Sequence, residues 1–298
     1  MYSLEQLRIF VAAAEQGSFS AAARRLGKAQ SAVSQSIANL EIDWGVELFD
    51  RRTRKPELTP KGVSLLAHAK VVLNQARSLE IAAAALEQEQ ETTLELAVDE
   101  ALMVPAIEPV LAEFAERFPA TSLALNAVAS SDVLSLVAEG RAQMGLMFSS
   151  LTFHDEIDST YLGDLPFVVV ASPQHPLARL SEVKLADLCI YRQLMVKGFD
   201  GRGLDQVPPI SAQLWWANNL FLLRELARQG LGWSYVPLHL ITQELAAGTL
   251  VTLPVVFDHQ PWRAPVDRVL PRGARPGPAL TWLKEAVSGC FHQETSRS

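Results

Sequence analysis

The sequence predicts an α/β multidomain protein: a helical head with a short hairpin, a long linker helix, and a larger two-lobed region of alternating strands and helices. Three observations predict it. Short helical stretches punctuated by glycine fill residues 1–58. An apolar 4-3 spacing runs without a breaker through residues 59–91. From residue 92 onward, short apolar runs alternate with amphipathic stretches. The 298-residue length exceeds what one hydrophobic core usually serves.

The head reads as three helices. Ser3 caps the first, with Gln6 completing a capping box, and Leu4, Leu7, Phe10, Val11 and Ala14 form one apolar face until Gly17. Ser18 or Ser20 opens a second helix, Ala21 to Leu26, stopped by Gly27. A third runs from about Gln30 to Trp44 and ends at Gly45. Residues 47–58 suggest two short strands around the basic tip Arg51, Arg52, Thr53, Arg54, Lys55. Thr59 and Pro60 then cap and start a helix, since proline at the first helical position loses no bond. Its seam is Leu65, Ala69, Val72, Ala76, Leu79, Ala83 and Leu86, on a rod of roughly 45 Å. So narrow a stripe on so long a helix predicts self-association; packing on its own domain is the alternative.

In residues 92–298 the expected strands are Leu94–Val98, Leu123–Val128, Met144–Phe148, Phe167–Ala171, Leu194–Val196, Gln213–Trp215, Gly232–Val236 and Val266–Leu270. Helices are expected at Pro105–Phe118, Asp132–Gly140, Asn219–Gln229, after Pro237 and at Ala279–Phe291. This alternation predicts a parallel sheet, and two such stretches predict two lobes with a ligand-binding cleft at the strand carboxyl ends.

The decisive stretch is Phe19 to Glu41. Ala22 and Ala23 let two helices approach closely, and Val33, Ile37 and Leu40 face inward. Ser31, Ser34, Gln35 and Ala38 share another face that is small and uncharged, polar at its N-terminal end. Such a face suits the major groove, where Gln pairs with adenine and Ser reaches bases or phosphates. The expected DNA contacts are Gln30, Ser31, Ser34 and Gln35 on the helix, Arg24 and Lys28 beside it, and Arg51, Arg52, Arg54 and Lys55 on the hairpin as a wing. The net charge of −7 hides an asymmetry: residues 1–61 net +2 and the remainder −9. A basic head on an acidic body fits a small nucleic-acid module joined to something else.

Ser31-Ala-Val-Ser-Gln-Ser-Ile-Ala-Asn-Leu-Glu41, Gly45-Val-Glu-Leu-Phe-Asp-Arg-Arg52 and Leu58-Thr-Pro-Lys-Gly62 together resemble the signature of LysR-type transcriptional regulators. The similarity extends through Phe114, Phe118-Pro119 and Gly230-Leu-Gly-Trp-Ser-Tyr-Val-Pro237. The resemblance implies a winged helix-turn-helix at 1–58, a linker and dimerisation helix at 59–91, and a periplasmic-binding-protein-like effector domain at 92–298. Lobe one is then 92–162 plus 267–298, and lobe two 163–266. It implies homodimers or homotetramers that bend promoter DNA, with a small-molecule co-inducer in the inter-lobe cleft and RNA polymerase as a candidate partner.

The resemblance also places the effector against Asp99, Glu100, Ala101 and Leu102, against Ser130 and Ser131, against Val196, Lys197, Gly198 and Phe199, and against Trp216, Ala217, Asn218 and Asn219. Phe148, Phe199, Trp215 and Trp216 are aromatic candidates for the wall. Helix starts at Ser130-Ser131 and Asn218 offer N–H groups to an anion. The chain departs from the family where Asp99 and Glu100 replace the Ser or Thr that holds a carboxylate. An unpartnered buried carboxylate is costly, so one reading is an amine-bearing effector; the other has both acids facing solvent or paired with Arg or Lys.

No catalytic residue, cofactor or metal site is expected. The six histidines lack ligand spacing, and no nucleophile elbow or phosphate loop occurs. Cys189 and Cys290 are expected as reduced, buried thiols, and the start of the chain lacks the pattern of an export signal, so a cytoplasmic location is expected. The rival to a sensor is a DNA-binding repressor or architectural protein needing no effector.

Overall fold

The computed structural model describes residues 2–50, 52, 56–152, 154–205, 207–257 and 262–291. The chain divides into two compact units, Met1–Glu87 and Gln88–Ser298.

The first unit holds α1 (Leu4–Gln16), α2 (Phe19–Leu26), α3 (Gln30–Trp44), the strands β1 (Phe49–Asp50) and β2 (Glu57–Leu58), and α4 (Pro60–Glu87). Local chemistry sets these limits. Ser3 and Gln6 form the reciprocal capping box on α1. Ser18 caps α2, with Ser20 hydrogen-bonded to it. Gly17, Gly27 and Gly45 end the three helices in the left-handed conformation that glycine takes without strain. Phe10, Val33, Ile37 and Leu40 are fully buried, and Ala22 and Ala23 allow the close helix approach. Phe10 meets Phe49 and Trp44 edge-on, which ties the hairpin to the helices. Thr59 accepts the Gly62 N–H at 2.9 Å and starts α4.

The α4 seam is divided. Leu65, Leu66, Ala69 and Leu73 pack on the head's own core. Val72, Leu79 and Leu86 are exposed, Leu79 at 71%. Own-domain packing therefore consumes the first turns and leaves the distal apolar positions uncovered within the chain.

The second unit begins with β3 (Thr93–Asp99), α5 (Ile107–Arg117), β4 (Ser122–Val128), α6 (Ser130–Ala138) and β5 (Met144–Phe148). There follow β6 (Ile157–Ala171), α7 (Leu185–Ile190), β7 (Gln193–Val196), β8 (Leu214–Ala217), α8 (Leu220–Arg228) and β9 (Ser234–Pro237). It closes with α9 (Thr242–Ala246), β10 (Val251–Thr252), β11 (Trp262–Pro271) and α10 (Pro278–Ser288).

The expectation of a parallel sheet is corrected. Among the described residues a seven-stranded sheet runs β10-β6-β11-β5-β3-β4, with β9 beside β6. Only β4, β3 and β5 are mutually parallel in it; β11 is antiparallel to β5 and β6, and β6 to β9 and β10. β7 and β8 form a separate parallel pair. The physical reason is the connection between lobes: β6 and β11 are long strands that cross from one lobe to the other as an antiparallel pair. Their register shifts between Val266 and Asp267, with Gly163 and Tyr161 opposite. The first half of β6, with Asp158, Ser159, Thr160 and Tyr161, carries no apolar run, which is why only its Phe167–Ala171 end was legible.

Lobe one buries Leu94, Leu96, Phe114, Leu146 and Leu283 around β3, β5, α5 and α10. Lobe two buries Leu194, Leu223, Val236 and Ile241 on one side of β9 and Val169, Leu188 and Trp233 on the other. The Trp233 Nε1–H donates to Leu188 and Tyr191 carbonyls, satisfying its polar end. Cys189 is exposed rather than buried, because it lies on the outer side of short α7; Cys290 is half-buried.

Candidate functional site

Two surfaces were expected to carry function. On α3, Gln30, Ser31 and Gln35 are exposed and Ser34 is half-buried. The Gln35 Nε2 donates to Asn39 Oδ1 at 2.8 Å, one turn on, which aims the amide along the outer face. Arg24 is exposed on α2, and Lys28 reaches Glu5 at 2.9 Å. Arg52 forks onto Asp50, with Nη2 to Oδ2 at 2.6 Å, and this pairing holds the Asp50 carboxyl down at about 2. Arg51, Arg54 and Lys55 lie outside the described residues. The structure thus brings Ser31, Ser34 and Gln35 onto one helical face and gives two of the flanking cations an acidic neighbour.

The second surface is a cavity between the lobes, lined by Asp99, Glu100, Ala129, Phe148, Phe167, Leu194, Met195, Val196, Leu204, Val207, Asn218, Leu220 and Tyr235. None of these is Lys or Arg. The cavity measures about 40 Å3, room for one or two waters. The sequence reading had placed Asp99, Glu100, Phe148 and Asn218 here. The apolar wall from Leu194, Met195 and Val196 of β7, with Leu204 and Val207, was not expected; the apolar run Leu194–Val196 carried the signal.

Several residues expected at the effector do not line this cavity. Phe199 is 82% exposed and lies outside the cavity, because its backbone N–H is fixed to the Asp132 carboxylate at 2.9 and 3.0 Å. Trp215 is turned outward, with the Arg192 guanidinium 4.1 Å from its ring centre. Trp216 also stays outside, under the Lys197 ammonium at 5.8 Å, and this removes Lys197 from the cavity as well. Ala101 and Leu102 are fully buried in lobe one behind the wall. Ser130 and Ser131 sit beside the cavity, not in its lining.

Asp99 is buried and Glu100 half-buried, and neither is paired with a basic side chain. Asp99 is 5% exposed. Its Oδ2 accepts the Ser130 hydroxyl at 2.6 Å and its Oδ1 accepts the Ala101 N–H at 3.0 Å, while the Ser130 backbone N–H also serves the carboxylate. Burial nevertheless pushes its carboxyl up to about 6. Ser130 is itself committed, accepting the Phe148 N–H at 2.9 Å. Glu100 crosses the cleft: its Oε1 accepts the Leu220 N–H at the start of α8, and partial burial raises its carboxyl.

A second set of contacts closes the lobes on the other side. Asp132 of α6 accepts from Phe199 and Asp200, the Ser131 hydroxyl donates to Asp200 at 3.0 Å, and Asp205 accepts from the Ser150 hydroxyl and the Leu151 N–H, both at 3.1 Å. A Cβ at Gly198 would stand 2.3 Å from the Ser131 Oγ, so any larger residue there displaces the Ser131 and Asp132 side chains from these contacts. Among the described residues no group of His, Cys, Asp or Glu could hold a metal ion, and no helix is long and apolar enough to cross a membrane.

A helix-turn-helix with a hairpin beside it, joined to a two-lobed domain with a largely apolar cavity between the lobes, is the arrangement of a DNA-binding regulator with an effector-binding domain. Comparison with known proteins agrees. Residues 4–63 match the model of the bacterial regulatory helix-turn-helix protein, lysR family, and residues 87–289 match the LysR substrate binding domain. The HTH-type transcriptional regulator AceR of Acinetobacter baumannii is 31% identical over 284 residues, covering 95% of each chain. The RuBisCO operon transcriptional regulator of Allochromatium vinosum is 30% identical over 299 residues, covering 96% of this chain and 95% of that one. Among solved structures, an OxyR C206 mutant from Corynebacterium glutamicum is similar with a TM-score of 0.54 and 25% identity, over 97% and 93% of the two chains. The chain belongs to the LysR family of DNA-binding transcriptional regulators, a family of regulators and not of enzymes, with a C-terminal effector-binding domain.

Proposed function

We propose that the chain is a cytoplasmic, co-inducer-sensing regulator: residues 1–58 read promoter DNA, residues 59–91 pair two copies, and residues 92–298 sense a small molecule between lobes 92–162 plus 267–298 and 163–266. Arg24, Lys28, Gln30, Ser31, Ser34, Gln35 and the wing make the DNA contacts. The exposed Val72, Leu79 and Leu86 support pairing through α4, with a homotetramer as the working assembly and RNA polymerase as a further partner.

The observation that carries the sensing role is the composition of the cavity wall: two carboxylates, an amide, a phenol, and otherwise apolar groups with no basic side chain. A cationic guest is favoured there over an anionic one, so the effector is an apolar molecule bearing an amine. Known ligand pockets are roughly 300–1,000 Å3, so the lobes must part to admit it. The smallness of the cavity favours a second reading, a regulator that works without an effector. A promoter mobility-shift and DNA-bending assay, run with metabolite extracts and beside calorimetry of amines and carboxylates, separates the two. A changed bend with amine uptake supports the sensor. A bend indifferent to every extract supports the effector-free reading, and uptake of carboxylates alone removes the amine.

A further inference from the structure

We infer that Asp99 and Glu100 are specificity-determining residues that act as built-in anions, seated on two helix N-termini of the inter-lobe cleft and so excluding carboxylate effectors from this regulator. The inference rests on the cleft being the effector site and goes further by naming what it refuses and why.

A helix N-terminus carries unpaired N–H groups and about half a positive charge, which makes it a natural seat for an anion. The cleft has two of them, α6 and α8, one from each lobe. Both seats are taken. At α6 the Asp99 carboxylate receives the Ser130 hydroxyl and backbone N–H, with the Ala101 N–H behind it. At α8 the Glu100 carboxylate receives the Leu220 N–H, and the Asn219 side chain takes the Leu222 N–H at 2.7 Å.

The consequences are chemical. A guest carboxylate would find these donors spent, meet two like charges, and gain no compensating cation, since no Lys or Arg lines the wall. A guest without negative charge meets none of these penalties. Ser130 and Ser131 reinforce the exclusion: their hydroxyls already donate to Asp99 and Asp200. Like-charge juxtaposition is an established way to reject a wrong partner.

The test is chemical rescue on the full-length chain. Asp99→Ala removes a group the size of formate and leaves its donors in place. Sodium formate, compared with sodium chloride at equal ionic strength, is expected to raise the Tm of Asp99→Ala by several degrees and to leave the wild type unchanged. Glu100→Ala, whose parent side chain is half-buried, is expected to respond to acetate in the same way and serves should Asp99→Ala fail to fold. The double variant Asp99→Ser/Glu100→Ser is expected to bind benzoate by calorimetry where the wild type does not. Variants that ignore formate and acetate, or a wild type that takes benzoate as tightly as the double variant, would overturn the inference. These readouts involve no DNA. Loss of the sensing role would show instead as a promoter complex blind to every extract, with rescue by formate intact.

Discussion

The two polar surfaces of this protein are built in opposite ways. On α3 the polar side chains point outward, and Gln35 keeps only a neighbour one turn away, Asn39. In the cleft the polar side chains point inward and are bound already: Asp99 to Ser130 and Ala101, Glu100 to Leu220, Asp132 to Phe199 and Asp200. The difference teaches what each can recognise. A face with outward donors and acceptors can match the edges of base pairs. A cavity whose two carboxylates already hold backbone or hydroxyl donors selects by shape, apolar contact and net charge. In the proposed function, hydrogen-bond discrimination falls to the head and charge exclusion to the cleft.

The largest test of this contrast is Asp99→Asn. Because burial lifts the Asp99 carboxyl from 3.8 to about 6, the folded chain holds a proton in that window that the unfolded chain has released. Stability from this group is therefore present below pH 4, falls as pH rises toward 6, and is flat above. The full swing is about 3 kcal/mol as an order of magnitude. Urea midpoints across pH 4–7.5 should show the variant gaining on the wild type as pH rises. A parallel pair of curves would show that the buried carboxylate bears no desolvation cost.

Gly198→Ala attacks the latch on the far side of the cleft. Its Cβ would stand 2.3 Å from Ser131 Oγ and 2.8 Å from Asp132 Oδ1, so these two side chains must swing away and give up their hydrogen bonds to Phe199 and Asp200. Overpacking of this kind costs about 1–3 kcal/mol. Hydrogen exchange should rise at residues 198–205 while DNA affinity holds; unchanged exchange would show that lobe closure does not depend on this contact.

On the head, Gln35→Ala should cost about 1–3 kcal/mol at one or two base positions. Competition between operator variants measures it. Equal loss on every sequence would move the reading face elsewhere on α3. The smallest effect is expected from Asp50→Asn, which frees the Arg52 guanidinium from its carboxylate. Exposed pairs are worth about 0–1 kcal/mol, so binding to all DNA should tighten a few-fold with a steeper salt dependence. A change confined to one operator would contradict a backbone-gripping role for Arg52.

What was legible in sequence follows from how local the forces are. The limits of α1, α2 and α3 were readable because caps and glycine stops act within four residues, and the inward trio Val33, Ile37 and Leu40 because helical spacing acts within two turns. The divided seam of α4 was not, since spacing marks an apolar stripe without saying which part its own domain covers. In the cleft, Asp99, Glu100 and Asn218, named by resemblance, and Phe148, named for its ring, line the cavity, while Phe199, Trp215, Trp216 and Lys197 do not. Aromatic character suggests a pocket wall, yet long-range partners, Asp132 and Arg192, hold Phe199 and Trp215 on the outside.

Sequence alone determined the family, the order of the parts and the shared uncharged face of Ser31, Ser34 and Gln35 on α3, because each is written in short-range pattern. Only the tertiary structure decided that the sheet is mixed and that the two acids of the cleft are seated on α6 and α8. Those outcomes depend on pairings between residues 31 to 120 positions apart, such as Ser130 with Asp99 and Leu220 with Glu100, which no local periodicity encodes.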